Sequence, residues 1–468
     1  MIRQIADILS GWNWLDGWTV MTAALASMSC CVPGVFLLVR RQSMLGDALS
    51  HTTLPGIALG FLAAMWLRDL GWMSDETYTA WRHGVVVIGA AAIGVISAML
   101  TQALQKIGGV EPNAALGVVF TSLFALGLLL IRLFADKIDL DANCVLYGTI
   151  ETAALDRVHL FGLGDAFTVP RAAMLNGTFL LVNLALVVLF FKELRIAAFD
   201  PALATSMGIN AQVVHYVLIS VTAMTLVAAF ESVGSILVIA MLVTPAATAH
   251  LLVDRLGKLL LVALAVAAIS ALLGHVLAIT LPSLLFRQLG FDIPVDASTA
   301  GMMAVAGGGL FTLAALIGPR YGILSRAVLR LQLSVQVASQ DILGALYRHE
   351  EQMESVELAG AVRPHSLLQR LARRWLLLKR EIVATADGMA LTEDGRQHAK
   401  QLVRSHRLWE SYMAKHLVLP EDHLHATAER VEHYIDGMMR AEIDAELAAP
   451  DQDPHGRAIP AEKEKVEG

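Results

Sequence analysis

The sequence contains little charge for its length. Of its 468 residues, 16% are Asp, Glu, Lys or Arg, whereas 56% are hydrophobic. Soluble globular domains have about a quarter charged residues and about half apolar ones. The balance excludes an ordinary soluble fold and predicts a polytopic membrane protein. The long apolar runs lie before Gly318 and the charge is concentrated from Tyr321 to Gly468, so we expect two domains.

Several other features are scarce or absent. Cys30, Cys31 and Cys144 are the three cysteines, and because they lack the spacing of a metal finger we interpret them as packing residues. No GxxxxGK(S/T) loop occurs, so the chain does not hydrolyse ATP by that means and takes its energy from elsewhere. Residues 1–17 lack the basic cluster and cleavage site of a signal peptide, and their tryptophans predict an interfacial segment.

Apolar runs of membrane-spanning length recur through the first two thirds of the chain. A span needs about 20 mainly apolar residues to cross roughly 30 Å of hydrocarbon. With nine spans, the basic loop residues fall mainly on one side, which the positive-inside rule assigns to the cytoplasm together with the C-terminal domain. We predict nine spans, or eight, near residues 18–39, 46–67, 84–104, 113–134, 174–191, 213–230, 232–253, 259–281 and 298–318.

After the last span the pattern changes to amphipathic helices. Apolar and β-branched residues around Asp387–Gly388 indicate a hairpin, so helices, hairpin and further helices predict a winged helix-turn-helix unit joined to a helical module. The predicted fold class is an all-α polytopic membrane domain followed by a mainly α-helical cytoplasmic domain. The predicted boundaries are 18–318 for the membrane domain, 319–339 for a linker helix, 340–395 for the winged unit, 396–446 for the helical module and 447–468 for a disordered tail.

Asp47 and His51 stand four residues apart just inside a predicted span, so their side chains share one helix face. An ionised Asp at the centre of a bilayer costs about 3 kcal/mol or more unless it faces a polar path or a ligand. A carboxylate and an imidazole together suit Mn²⁺, Fe²⁺ or Zn²⁺. Alternatively, Asp47 caps the helix from the interface and His51 hydrogen-bonds a neighbouring span. Spacing alone leaves both interpretations open.

This segment reads GDALSH at 46–51 and LPG at 54–56. It resembles the second-span signature of the zinc, manganese and iron permease family of ABC importers. Further similar stretches lie at 109–127, 198–209 and 233–249, so the resemblance covers most of residues 18–318. It implies a multi-pass permease of the cytoplasmic membrane in which Asp47 and His51 line the metal path.

The resemblance also implies partners. These are a separate ATPase subunit, an extracytoplasmic metal-binding protein, membrane lipid, and a second permease that is either an identical copy or a homologue. The loop at 198–209 resembles the helix that docks on the ATPase, although Ala202 stands where the family usually has an acidic residue. The implied docking residues are Phe199, Asp200, Pro201, Ala202, Met207, Gly208 and Ile209.

Three other ionisable residues lie in apolar surroundings. Glu231 precedes a glycine-containing turn, and we assign it a gating or capping role in preference to a ligand role. His250 and His275 would extend the metal path, or they are hydrogen-bonded packing residues.

The cytoplasmic domain repeats the pairing of imidazole with carboxylate. His406 and Glu410 are four residues apart, and His425, Glu429 and the pair at 432–433 follow at helical spacing. Such a mixture favours Mn²⁺ or Fe²⁺ over a thiolate zinc site. A solvated helix rich in charge is the alternative.

Residues 340–446 resemble the iron- and manganese-dependent repressor family, through a Leu-Thr-Glu-x-Gly stretch at 391–395, a helix rich in Arg and His, and a closing Glu-His pair. The resemblance implies that 396–446 form metal-binding and dimerisation helices and that a divalent metal is a regulatory ligand. Gly344 replaces a second acidic ligand. The implied ligands are His406, Glu410, His425, Glu429, Glu432 and His433, with Asp341.

A basic face also predicts DNA contact through a helix and wing, because phosphate binding requires positive charge. Alternatively, the domain has kept its fold and metal sensing without contacting DNA. We therefore predict the permease of an ABC importer with a metal-sensing domain, against a competing hypothesis of a membrane-tethered transcription regulator. The predicted DNA contacts are His365, Ser366, Gln369, Arg370, Arg373 and Lys379.

Overall fold

The computed structural model is mainly α-helical and divides into two compact units, residues 1–325 and 326–468. It describes residues 11–72, 75–134, 148, 150–159, 168–288, 290, 296–352, 366–385, 388–417, 427–429 and 431–461. The side chains of residues 75–83, His159, Glu231, 287–288 and 352 lie outside this description.

The first unit is a bundle of thirteen described helices with one short β-ribbon, β1 (Arg157–His159) paired antiparallel with β2 (Thr168–Pro170). The helices are α1 (Trp14–Val39), α2 (Ser43–Thr52), α3 (Leu54–Asp69), α4 (Asp75–Lys106), α5 (Pro112–Leu133), α6 (Ile150–Ala153), α7 (Arg171–Leu189), α8 (Phe191–Phe199), α9 (Pro201–Ser206), α10 (Ala211–Val233), α11 (Val238–Leu252), α12 (Leu256–Gln288) and α13 (Thr299–Ile317).

Eight segments of the described chain are long and apolar enough to cross a membrane. The predicted ninth span, 232–253, is not among these eight, because its helix is shorter than predicted. Helix α10 runs through Val233, Gly234 takes a positive φ of 85°, and α11 then has only 15 residues. A helix of that length rises about 22 Å, which is less than the roughly 30 Å of the hydrocarbon core. The predicted alternative of eight spans is the count that the structure supports.

The segment predicted as one span at 46–67 is two helices. Helix α2 ends at Thr52 and α3 begins at Leu54, because Pro55 has no N–H to continue the hydrogen-bond ladder. Hydroxyl groups bond to backbone carbonyls of α2 close to the break: Ser50 donates to the Asp47 carbonyl over 2.7 Å and Thr53 donates to the Ser50 carbonyl over 3.2 Å. In an apolar interior, such bonds within the chain satisfy hydroxyl groups that have no water to bond to.

Helix α1 lies at the centre of the bundle and packs against α7, α11 and α12. Gly34 lets α1 approach α11 so closely that a Cβ at this position would collide with the carbonyl oxygen of Leu242. A buried amide joins α7 to two neighbours, since Asn183 Nδ2 donates to the Ser29 carbonyl over 3.0 Å and to Thr225 Oγ1 over 3.1 Å. In a membrane, an apolar helix face gains little by contacting another helix instead of lipid. Close packing at small residues and hydrogen bonds between polar groups therefore hold these helices together.

In the second unit, the predicted linker helix at 319–339 and the start of the next predicted domain belong to one helix, α14 (Ile323–Gln352). Helix α15 (Leu367–Leu378) follows, and then the predicted hairpin, in which β3 (Ile382–Thr385) pairs antiparallel with β4 (Gly388–Leu391). Asp387 lies outside the described residues. The unit continues with α16 (Glu393–His416), a 3₁₀ turn (Glu432–Tyr434) and α17 (Gly437–Glu446).

The tail predicted as disordered from residue 447 is wrong over 447–461, because this segment packs against α16. Ile459 is 8% exposed in a cluster with Leu408. Arg404 and Arg407 donate to the backbone carbonyls of Pro460 and Ala458. The tail is rich in charged residues and proline, which favours disorder. It is nevertheless held in place by its apolar Ile459 and by two buried arginines of α16. Residues 462–468 lie outside the described part.

We expect Gly34→Ala to destabilise the membrane unit. The added methyl group forces α1 and α11 apart, and overpacking of this kind costs about 1–3 kcal/mol. The measurement is thermal unfolding in detergent, with Gly308→Ala as the control, since no atom lies within 4 Å of the Cβ position of Gly308 in α13. Equal melting temperatures for the two variants would contradict the close contact.

Candidate metal sites

The broken helix places Asp47 and His51 one turn apart on α2. His51 Nε2 lies 3.9 Å from Asp47 Oδ1, and the two side chains are 21% and 48% exposed. The imidazole packs between the rings of Phe120 and Phe124 on α5, with both centroids 5.4 Å away. The ring therefore has little freedom to turn, and its polar neighbour within the described chain is the carboxylate.

This geometry bears on the alternative roles. Asp47 is the fifth residue of α2, whose N-cap is Gln42, so Asp47 does not cap the helix. His51 faces phenylalanine rings, and no hydrogen bond to another described span is formed. Within the described residues, therefore, Asp47 does not act as a helix cap and His51 does not hydrogen-bond a neighbouring span.

His275 belongs to a different polar cluster, next to the start of α1. It is 3% exposed, its Nδ1 lies 3.1 Å from Thr299 Oγ1, and its Nε2 lies 3.5 Å from Asp16 Oδ1. Trp12 packs edge-on against the imidazole, and Glu151 accepts the backbone N–H of Thr299 over 2.6 Å. Since α2 begins beyond the other end of α1, which is about 39 Å long, His275 is not grouped with Asp47 and His51.

Of the other two candidates from the membrane unit, His250 is not brought to either cluster. His250, in the last turn of α11, is exposed and stacks on Tyr321 with ring centroids 6.1 Å apart. The side chain of Glu231 lies outside the described residues.

The short helix predicted after Asp200 is present as α9. Asp200 caps it by accepting the backbone N–H groups of Ala202 and Leu203 over 3.0 and 2.9 Å, and Gly208 ends the turn with φ 82°. Phe199, Leu203 and Met207 are 64%, 50% and 53% exposed. Ala202 is also exposed and Ile209 is half-buried. This loop therefore presents apolar side chains to its surroundings, which is typical of a contact surface.

A cavity of about 550 Å³ lies beside this loop. Its wall includes Arg40, Arg41, Lys106 and His215, together with Pro201 at the start of α9. No Asp or Glu side chain is among its lining residues in the described structure. The cavity wall beside α9 is thus basic.

In the second unit, the predicted ligands from distant positions converge. His406 Nε2 lies 3.1 Å from Glu410 Oε1, and His406 Nδ1 bonds to Glu432 Oε2 from the 3₁₀ turn. The three residues are 4%, 1% and 3% exposed. Burial lowers the pKa of His406, but the hydrogen bonds to Glu410 and Glu432 outweigh it and raise the pKa to about 9. A protonated imidazole therefore balances the two buried carboxylates near neutral pH.

A second group adjoins the first through Glu432. The ligand atoms of Asp341, Glu432 and His433 all lie within 4.8 Å of one another. His433 Nε2 is 3.2 Å from Asp341 Oδ1, and its Nδ1 is 2.9 Å from Gln340 Oε1. The hydrogen bond to Asp341, set against burial, raises the pKa of His433. Imidazole and carboxylate oxygen in this number and spacing fit a divalent ion of the Mn²⁺ or Fe²⁺ type.

Two predicted ligands, Glu429 and His425, remain. Glu429 is exposed, and His425 lies outside the described residues. Gly344 supplies no donor atom.

His455, which the tail brings to the first group, was not among the predicted ligands. Its Nε2 lies 4.0 Å from Glu410 Oε1. The signal available in the sequence was the run Asp453-Pro454-His455-Gly456, a composition typical of a defined turn.

The predicted DNA contacts that the structure describes lie along α15 and at its two caps. Ser366 caps the helix by accepting the backbone N–H of Gln369 over 3.2 Å. Arg370 is exposed and Arg373 is half-buried. Lys379 Nζ lies 3.8 Å from the centroid of the Trp375 ring and 4.0 Å from Glu381. His365 and the rest of residues 353–365 lie outside the described residues, so the helix-turn-helix itself stays a prediction.

Comparison with known proteins supports both resemblances. The model of the ABC 3 transport family matches residues 17–283, and the model of the iron dependent repressor metal binding and dimerisation domain matches 392–461. The second range includes the tail at 447–461.

Individual relatives agree with this. The zinc transport system membrane protein TroD of Treponema pallidum is 34% identical over 387 residues, which are 80% of this chain and 97% of that protein. The manganese transport system membrane protein MntD of Bacillus subtilis is 35% identical over 69% of this chain and 99% of its own. The structure of PsaBC from Streptococcus pneumoniae in complex with Fab covers 69% of this chain and 98% of that one, at 26% identity and a TM-score of 0.50. The chain is therefore a multi-pass membrane permease of the ABC 3 transport family, with an iron-dependent-repressor metal-binding and dimerisation domain at its C-terminal end.

Proposed function

We propose that this permease moves a divalent transition metal, Mn²⁺, Fe²⁺ or Zn²⁺, along a path that passes Asp47 and His51. The supporting observation is the pair itself: a carboxylate and an imidazole 3.9 Å apart on one turn of a broken helix within a membrane-spanning segment. Relatives named for zinc and manganese transport agree with this class of substrate.

The pair is suited to brief binding. Two donor atoms are too few for an ion that takes four to six ligands. Water or the same residues of a paired permease complete the shell, so we propose that two permeases, identical or homologous, work together. Because Asp47 is half-exposed, its carboxylate is not enclosed by the side chains of this chain, and packing within the chain does not block release of the ion.

Energy enters through the loop around α9. The exposed Phe199, Leu203 and Met207 form the surface on which a separate ATPase subunit docks. The basic cavity beside α9 assigns this end of the bundle to the cytoplasm by the positive-inside rule. An extracytoplasmic metal-binding protein then delivers the ion at the opposite end.

The chain leaves α13 at the end that carries α9, because Arg320 and Tyr321 bond to Asp254 before α12 and the Phe191 ring of α8 lies 3.9 Å from the Cβ position of Gly257. The C-terminal domain that follows therefore lies in the cytoplasm in this proposal.

The second unit provides regulation. We propose that cytoplasmic Mn²⁺ or Fe²⁺ binds among His406, Glu410, Glu432, His433 and Asp341 and dampens transport. The donor set fits such an ion, since it combines buried carboxylates and imidazoles without thiolates.

Substitution of either membrane ligand is expected to abolish uptake. Loss even of a partner that only orients a metal ligand lowers affinity about 10–100-fold, so Asp47→Ala and His51→Ala should reduce metal uptake at least about tenfold. The assay compares Mn²⁺, Fe²⁺ and Zn²⁺ uptake in cells that contain the chain with its ATPase, at matched membrane expression. His250→Ala is the comparison, because this imidazole is exposed and stacks on Tyr321. Unchanged uptake in both ligand variants would place the path elsewhere.

Regulation makes a separate prediction. His406→Ala and Glu432→Ala should leave uptake active but insensitive to metal loaded inside vesicles, whereas the parent chain slows. His416→Ala serves as the control, because this imidazole pairs with Glu446 over 3.1 Å on an exposed surface. If all variants slowed equally with internal metal, feedback through this site would be refuted.

DNA binding is the competing function and stays a prediction. The full chain in detergent is tested for retention of DNA with and without Mn²⁺, and Arg370→Ala is compared with the parent chain. Metal-dependent retention that Arg370→Ala removes would favour a tethered regulator, whereas absence of retention favours the transport role alone.

A further inference from the structure

The tail of the second unit is held against α16 by specific contacts. Here residues 450–461 are called the strap. Arg404 and Arg407 donate to its carbonyl groups at Pro460 and Ala458, and Ile459 is buried beside Leu408. Both arginines are nearly buried, at 8% and 5% exposure. The strap is therefore a docked part of the metal-binding unit.

A turn within the strap fixes the position of His455. Asp453, which is 6% exposed, accepts the backbone N–H groups of His455 and Arg457 over 2.9 and 2.8 Å. Gly456 has a positive φ of 77°, which closes the turn. The imidazole that results is one third exposed and points its Nε2 toward the buried carboxylate of Glu410.

Glu410 thus lies between two imidazoles from different parts of the chain. Its Oε1 is 3.1 Å from His406 Nε2 and 4.0 Å from His455 Nε2. The longer distance exceeds that of a hydrogen bond. It is close to the separation of two donors on one metal ion, because bonds of about 2.0–2.2 Å put donor atoms roughly 3–4.4 Å apart, depending on the angle at the metal.

We propose that His455 is a metal ligand that acts with Glu410, so that the strap closes on the regulatory ion. The proposal rests on the proposed metal binding by the second unit. The ligand is a divalent transition metal, and neutral His455 contributes Nε2 to it. His455 is then the fourth residue of the group formed by His406, Glu410 and Glu432. It lies on the strap, which is held by side-chain contacts and not by secondary structure alone.

The strap also connects the ion to α14. Arg407 bonds at once to the Ala458 carbonyl in the strap and, through both guanidinium nitrogens, to the carboxylate of Glu351 near the end of α14. When metal at Glu410 fixes His455, it fixes the strap residues that Arg407 holds. Metal binding thereby affects the contacts of α14, the first helix of this unit.

The test uses the full chain in detergent with Asp47→Ala in every sample, which silences the proposed membrane site. His455→Ala, Glu410→Ala and the control His416→Ala are titrated with Mn²⁺, and binding is followed by electron paramagnetic resonance, including nitrogen couplings from coordinated imidazole. In parallel, trypsin cleavage after the exposed Arg457 is timed with and without Mn²⁺.

We expect His455→Ala to weaken Mn²⁺ binding at least about tenfold, to remove one imidazole coupling, and to abolish the protection of Arg457 by metal. His416→Ala should match the parent in all three respects. If Glu410→Ala loses binding while His455→Ala keeps the parent's affinity, couplings and protection, the ligand role of His455 is refuted and the regulatory site stands. If Glu410→Ala also binds as the parent does, the ion does not use the group around His406 and Glu410, and the role of His455 fails. If the parent chain itself binds no Mn²⁺, the proposed regulatory site fails as well.

Discussion

Inside a bilayer, backbone groups must find their hydrogen bonds within the protein, because hydrocarbon provides none. This constraint explains why the membrane unit is built of helices and why its one broken span needs compensation. The hydroxyls of Ser50 and Thr53 bond to carbonyls at the break between α2 and α3, and Asn183 satisfies a carbonyl of α1.

The parts of the structure that follow from local sequence were predictable. Apolar length identifies eight spans, an Asp-Pro start and a Gly end identify α9, and turn residues identify the hairpin of β3 and β4. The spacing of Asp47 and His51 specifies their common face in the same way. Each of these signals is contained within a few turns of chain, where propensity and periodicity act directly.

Features that depend on distant contacts were not predictable in the same way. His406 meets Glu432 across 26 residues, and only the family resemblance grouped them beforehand. The position of His455 was not predictable because the charge and the prolines of the tail indicate disorder. The contacts that order the tail come from Arg404 and Arg407 on α16. The short α11 was misjudged because a positive-φ glycine, Gly234, interrupts an apolar run that hydropathy alone treats as continuous.

The two candidate metal sites differ in the way their donors are held. In the second unit the donors come from α14, α16 and the 3₁₀ turn, so their distances change whenever these elements shift. On α2 both donors belong to one helical turn, and the helix itself sets the gap between them. A pivot of α2 about Thr53 would move Asp47 and His51 together, because one helical turn holds both. On the proposed metal path, access to the pair would then change from one side of the membrane to the other without a change in the spacing of its two donors.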